Sequence, residues 1–336
     1  MVELLEIDAK QDWDEAIVSW NVSGSELANV RIDVQACYSE RDTKWFTIAD
    51  WTGNLAKGPR TSILNQKDVD GDVLTDTFRV SRPCRKLKLR LTLRQVEEGP
   101  LPELKLLTAC FSNSSALGSE VDSSTRGETK LIEVPKRSQG HYEDGKLKYD
   151  RSRVSSSFET WFKGVKQAQY CSPTSLSMVL NYWGRELKFP EFGVDVPEVV
   201  AGVFDEQYPG TGNWPFNCAY AGSFGGLQAY VTRLRMVSDI EKIVDNGMPV
   251  VCSVAYNLLK GNGKPPGGDG HLVVVIGFTV DGDPIINDPG RSDEVRQIYR
   301  RANFYRAWRD SKQTVYIVQP VNVKMPKLSE DSILQD

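Results

Sequence analysis

The sequence predicts an α+β protein of two domains, an all-β sandwich followed by a domain in which helices pack on an antiparallel sheet. Three observations point there. Between Trp13 and about Phe111, short apolar runs alternate with polar residues at a period of two, and no helical period occurs among them. Residues 112–128, SNSSALGSEVDSSTRGE, are Ser-rich and poor in large apolar side chains, the composition of an exposed linker. Beyond them the pattern changes, with helical runs first and strand-like runs gathering later. The 336 residues agree with two domains of about 150 residues each. The expected division is a β-sandwich over 1–111, a linker over 112–128, an α+β domain over 129–325 and a polar tail over 326–336.

In the first domain the expected strands are AIVSWNV, NVRIDVQACYS, KWFTIADW, VLTDTFRV, KLKLRLTLRQV and LKLLTACFS. In KLKLRLTLRQV, Leu87, Leu89, Leu91 and Leu93 point one way and Lys86, Lys88, Arg90 and Arg94 the other, as a half-buried antiparallel strand requires. Clusters such as SGSE, TGNLAKGPR and DVDGD supply turn chemistry between strands. Trp13, Trp20, Trp45 and Trp51 suit either a packed core or a carbohydrate surface, core packing being the commoner use. In the second domain SLSMVLNYWG and GGLQAYVTRLRM read as helices, and IEVPKRSQ, MPVVCSVAY, GHLVVVIGFT, DPIINDP and TVYIVQP as strands.

Composition excludes several functions. With 41 Lys and Arg against 45 Asp and Glu, a net charge of -4 and a pI near 5.5, the chain has no general attraction for phosphate backbones or anionic lipid, so neither nucleic acid nor membrane is an expected partner. No two of the six cysteines, Cys37, Cys84, Cys110, Cys171, Cys218 and Cys252, stand in a C-x-x-C spacing, and only two histidines, His141 and His271, are available to a metal or to catalysis. No metal or organic cofactor is expected. DVDGDVLTD lacks the Gly and Glu of a calcium loop, with Val73 and Arg79 in their places, and GNGKPPGG has Pro265 where a phosphate loop needs Ser or Thr. The start MVELLEIDAKQDWDEA has no basic, then apolar, export pattern, which makes a reducing cytoplasm the expectation; a chain trimmed of its leader would read the same.

Three residues carry the chemistry. Cys171 precedes an amphipathic run in which Leu176, Val179, Leu180 and Trp183 recur at helical spacing, so its sulfur sits at a helix start, where the dipole and unpaired N–H groups favour a thiolate. Pro173 suits that first turn. His271 opens a buried strand after Gly267, Gly268 and Gly270, whereas His141, in QGHYEDGK, reads as a surface residue. Asp288 ends the next apolar strand, INDPG, from which its carboxylate would accept the Nδ1 proton of His271 and leave Nε2 for the thiol.

The order of these residues resembles the C-39-like branch of papain-like cysteine peptidases, the group that includes bacteriocin-leader-processing domains. The resemblance rests on YCSPTSLSMVLNYWG, GHLVVVIGFT and INDPG, with IEVPKRSQ and GTGNWPFNCAYAGSFG, over about residues 130–320. It implies a papain-like fold, Cys171 as nucleophile, His271 as general base, Asp288 as orienting carboxylate and an upstream Gln as oxyanion donor. Gln139 matches that context although it lies far upstream; Gln167 and Gln169 are nearer the Cys. Ser172 departs from the family's usual Gly. Trp214, Asn217 and Gly270 are the expected substrate-binding residues. The implied activity is cleavage of peptide or amide bonds in a peptide or protein substrate through a thioester. A non-catalytic peptide-binding module and a thioester-forming acyltransferase or deamidase are the alternatives.

Overall fold

The computed structural model describes residues 2–114, 125–139, 142–143, 146–147, 170–265, 268–291 and 294–329. It contains two larger antiparallel sheets and six α-helices among these residues, with an all-β N-terminal region, an α+β architecture. Its contacts group the chain into two compact units that are not collinear: Met1–Leu117 with Gly202–Val231, and Gly118–Ala201 with Thr232–Asp336. The expected division at the Ser-rich linker places residues 202–231 in the α+β domain, whereas their contacts group them with the N-terminal strands.

The first unit is built on β1 (Val2–Ser23), β2 (Ala28–Cys37), β3 (Phe46–Thr52), β4 (Gly71–Leu74), β5 (Thr77–Gln95) and β6 (Glu103–Ser112). Its strands hydrogen-bond in one continuous order, β3-β2-β5-β1-β6, with β4 on β5. The two longest, β1 and β5, run 22 and 19 residues, and their pairing shifts register between Asp8 and Trp13 and between Trp13 and Glu15. Trp13, Trp20 and Trp51 are fully buried in that core, which settles their use as packing. Trp45 is half-buried beneath the Arg90 guanidinium, 4.5 Å from its ring. Asp68 accepts the N–H groups of Asp70 and Gly71, so DVDGD is a turn.

The inserted segment 202–231 closes the same core. Its helix Trp214–Ala221 contributes Phe216, whose ring stands edge-on to Trp20 at 6.1 Å. The fully buried Asn21 clips the segment in place: Oδ1 accepts the Ala229 N–H at 2.9 Å and Nδ2 donates to the Ala229 carbonyl at 2.9 Å. Gly222 passes so close to Asn21 that a Cβ would sit 2.1 Å from the amide carbon, which only glycine avoids.

In the second unit, β7 (Lys130–Leu131) and the short pair β8 (Tyr142–Glu143) and β9 (Lys146–Leu147) precede helix α1 (Cys171–Leu187). Along the chain then follow α2 (Val196–Val203), the first unit's inserted helix α3 (Trp214–Ala221), β10 (Leu227–Arg233), which runs from that inserted segment into the second unit, and then, within the second unit, α4 (Val237–Asp245), β11 (Val250–Ala255), α5 (Tyr256–Leu259), β12 (Gly270–Phe278), β13 (Pro284–Asn287), β14 (Arg296–Ile298), α6 (Arg301–Asp310) and β15 (Thr314–Pro320). The sheet order is β10-β15-β11-β12-β13-β14, with β7 on β12. GGLQAYVTRLRM, expected as a helix, is strand β10, because Leu227, Ala229 and Val231 bury one face at a period of two. Of IEVPKRSQ, only the residues just before it pair as β7. The expected polar tail is anchored at Ser329, which bonds the buried Asp239 carboxylate with both N–H and Oγ.

Helix α1 lies on the sheet through specific polar contacts. Ser175 Oγ donates to the Leu272 carbonyl at 3.1 Å, Trp183 Nε1 donates to the Val318 carbonyl at 2.8 Å, and Ser172 Oγ meets the Tyr316 hydroxyl at 3.0 Å. The departure at Ser172 thus has a structural use.

The Asn21 clip predicts that Asn21→Ala, which strands both buried polar groups of Ala229, lowers stability by about 2–4 kcal/mol. A reduced urea midpoint at unchanged m-value checks it.

Candidate active site

The structure brings Cys171, His271 and Asp288 together within the second unit. Cys171 is the first residue of α1, whose 17 residues direct their dipole at its sulfur. His271 is the second residue of β12, and Asp288 lies just past β13, the neighbouring strand. The register of β12 and β13 ends at the pair Val274 and Asn287, and Asp288 follows in the turn that closes at Arg291. From there the carboxylate meets the imidazole at Nε2, 2.7 Å from Asp288 Oδ1. The expected assignment of the two nitrogens is therefore reversed, and Nδ1 is the one left for Cys171.

All three groups are withdrawn from water, with His271 5% exposed and Asp288 fully buried. Burial alone pushes the Cys171 thiol up, but the hydrogen bond and charge of His271, with the backbone N–H groups of Leu272 and Ser172, outweigh it and bring the thiol below its ordinary value. Burial pushes His271 down, yet its hydrogen bonds to Asp288 and Cys171 carry it to about 9. Burial raises Asp288, and His271, the Tyr299 hydroxyl and the Gly290 N–H together hold it below the usual carboxylate range. Opposite shifts of a bonded thiol and imidazole favour a thiolate–imidazolium pair near neutral pH. Cys218 and Cys252 have no such partner in their titration: burial drives both thiols well up.

Several residues of the site left no signal in the sequence. Tyr299 donates from its hydroxyl to Asp288 Oδ2 at 2.6 Å, and the Gly290 N–H donates to Oδ1 at 2.9 Å. The Tyr256 ring packs on the imidazole, centroids 4.2 Å apart. At Gly290 a Cβ would press within about 3 Å on Tyr256, His271 and Asp288 together.

The remaining expected site residues are placed as follows. Gln139 is half-buried and its N–H donates to the Pro289 carbonyl at 2.9 Å, one residue from Asp288; its Oε1 is buried without a hydrogen-bond partner. Asn287 supports that segment by donating to the Val134 and Pro135 carbonyls. Gly270 is exposed at the start of β12, with open space where a Cβ would stand. Trp214 and Asn217 belong to the first unit. Asn217 is fully buried and its Nδ2 bonds the Thr211 and Asn213 carbonyls at the start of α3, so the substrate contact expected of it is unavailable. His141, Gln167 and Gln169 lie outside the described residues.

Residues 157–316 match the model of the Peptidase_C39 like family, and residues 5–112 match that of the Peptidase C39 N-terminal domain. The first match begins after Gln139. No curated protein matches the chain. A solved structure from Bacillus anthracis, assigned as a C39-like peptidase, is 18% identical and covers 57% of this chain and 98% of its own, with a TM-score of 0.38, too low to carry a structural inference.

The shifts set the sign of the pH dependence. Cys171 is a thiolate above its lowered value and His271 an imidazolium up to about 9, so alkylation of Cys171 by iodoacetamide is fast already below pH 8. Asp288→Asn, which removes the charge holding the His271 proton, lowers His271 from about 9 toward the ordinary histidine value near 6.5 and so moves the acid limb of Cys171 alkylation up toward that of an ordinary thiol; rate against pH by mass spectrometry reads both.

Proposed function

For a chain that joins a Peptidase_C39 like domain at 157–316 to a Peptidase C39 N-terminal domain at 5–112, we propose a cysteine peptidase that cleaves peptide or amide bonds with Cys171, His271 and Asp288. The observation that carries this reading is the buried Asp288–His271 hydrogen bond beside a Cys171 sulfur at a helix start, with a lowered thiol and a raised imidazole.

In this reading the Cys171 thiolate attacks the substrate carbonyl, forming a carbon–sulfur bond and an oxyanion. The Cys171 N–H and the Gln139 Nε2 donate to that oxyanion, a role that the Gln139 anchorage beside Pro289 favours. His271 passes its Nδ1 proton to the leaving amine as the carbon–nitrogen bond breaks. The neutral imidazole then takes a proton from water, hydroxide replaces sulfur at the thioester carbon, and the acid leaves with the thiolate restored. Asp288 keeps its charge throughout and stabilises the imidazolium. The exposed backbone at Gly270, free of a side chain, gives an extended peptide room beside His271.

Incubation of the full chain with a diverse peptide mixture in oxygen-18 water tests the reading. New C-termini carrying the heavy isotope, absent with Cys171→Ala, are expected; products joined to an added amine in place of water, or no products from a Cys171 that alkylates slowly, overturn it. Gln139→Ala is expected to lower kcat about 100-fold or more with KM little changed, as removal of one oxyanion donor does, and steady-state kinetics on a cleaved peptide measure it.

A further inference from the structure

We propose that Tyr299 is a positioning residue for this reaction: its hydroxyl fixes the Asp288 carboxylate in the orientation that presents Oδ1 to His271 Nε2. The inference rests on the catalytic reading above.

The two carboxylate oxygens are held by different donors. Oδ1 takes His271 Nε2 at 2.7 Å and the Gly290 N–H at 2.9 Å, while Oδ2 takes the Tyr299 hydroxyl at 2.6 Å. An aspartate carboxyl rotates easily about its last torsion, which has only broad, soft minima. Asp288 is fully buried, so a donor on Oδ2 both stops that rotation and satisfies an oxygen that the protein has cut off from bulk water. The donor comes from a rigid place. Tyr299 directly follows β14, which pairs with β13, the strand that leads into Asp288, and its own N–H bonds the Pro284 carbonyl at 3.2 Å. Burial and the Asp288 charge push the Tyr299 phenol well up, so it remains a donor wherever the peptidase could work. The other titratable or charged groups that act on Asp288 and its two phenols are His271, with Cys171 beyond it, Tyr256, whose ring packs on the imidazole, and Arg291.

Removing the phenol oxygen frees the carboxylate to turn away from His271 Nε2, and His271 loses part of the 2.7 Å bond that holds its proton. Because the chain has only two histidines, imidazole nitrogens labelled with nitrogen-15 give spectra of two residues, which His141→Gln assigns. In Tyr299→Phe, the His271 midpoint is expected to move down from about 9 by about one pH unit, the effect of weakening one hydrogen bond to an ionised group. Its Nε2 proton moves upfield, and the acid limb of Cys171 alkylation moves to higher pH. A merely structural Tyr299 lowers the melting temperature and leaves midpoint, proton shift and alkylation profile as in the wild type; that result overturns the inference. Wild-type Cys171 without enhanced alkylation below pH 8, or wild-type His271 titrating near 6.5, overturns the catalytic reading instead.

Discussion

The hydrogen bond between Asp288 and His271 Nε2 is the contact on which the site depends. A carboxylate with no exposure to solvent is costly unless its charge is met, and here imidazole, phenol and backbone N–H meet it. The same charge keeps the imidazole protonated, and the imidazolium in turn stabilises a thiolate at the start of α1. Remove the carboxylate and the sequence of dependences runs backwards: the imidazole returns toward its ordinary basicity and the sulfur becomes one more buried thiol, as Cys218 and Cys252 are.

The fold supplies this contact through strand register. β12 and β13 are antiparallel neighbours, so His271 on one strand and Asp288, just past the end of the other, meet at the same end of the sheet. Gly290, in the turn after Asp288, keeps the space that a side chain would take from the imidazole, the carboxylate and Tyr256. The first unit solves a different problem. Its long strands share a tryptophan core, and a segment arriving 90 residues later in the chain completes that core with Phe216 and is held by Asn21.

Much of this was legible in the chain. Alternating Leu and Lys in residues 86–93 announce β5, the helical spacing after Cys171 announces α1, and the uninterrupted apolar run after His271 announces a buried strand. Cys171, His271 and Asp288 stand out because each is a reactive side chain at the boundary of a regular element. Tyr256 and Tyr299 do not, since a tyrosine beside a strand or a short helix looks the same whether its hydroxyl meets water or a carboxylate. Gln139 is legible only through a resemblance, because nothing in its local pattern distinguishes a donor from any other loop amide. Leu227–Arg233 misleads because Leu, Gln, Ala and Arg are good helix formers, and burial against the sheet overrides propensity there. Asn217 misleads for the opposite reason: an amide among aromatic residues suggests a binding wall, while its partners are carbonyls of its own helix start.

By itself the sequence determined local things: element type where one period dominates, the identity and order of the reactive residues, and the charge balance that disfavours nucleic acid. Periodicity and composition are properties of neighbours along the chain, so they survive without coordinates. Tertiary structure alone decided which nitrogen of His271 meets Asp288, which hydroxyl satisfies the remaining carboxylate oxygen, that residues 202–231 belong with the first unit, and that the N-terminal strands form one continuous sheet. Each of these depends on groups far apart in sequence meeting at a few ångströms with particular donors and acceptors facing each other, and register, bending and burial set that meeting only once the chain has folded.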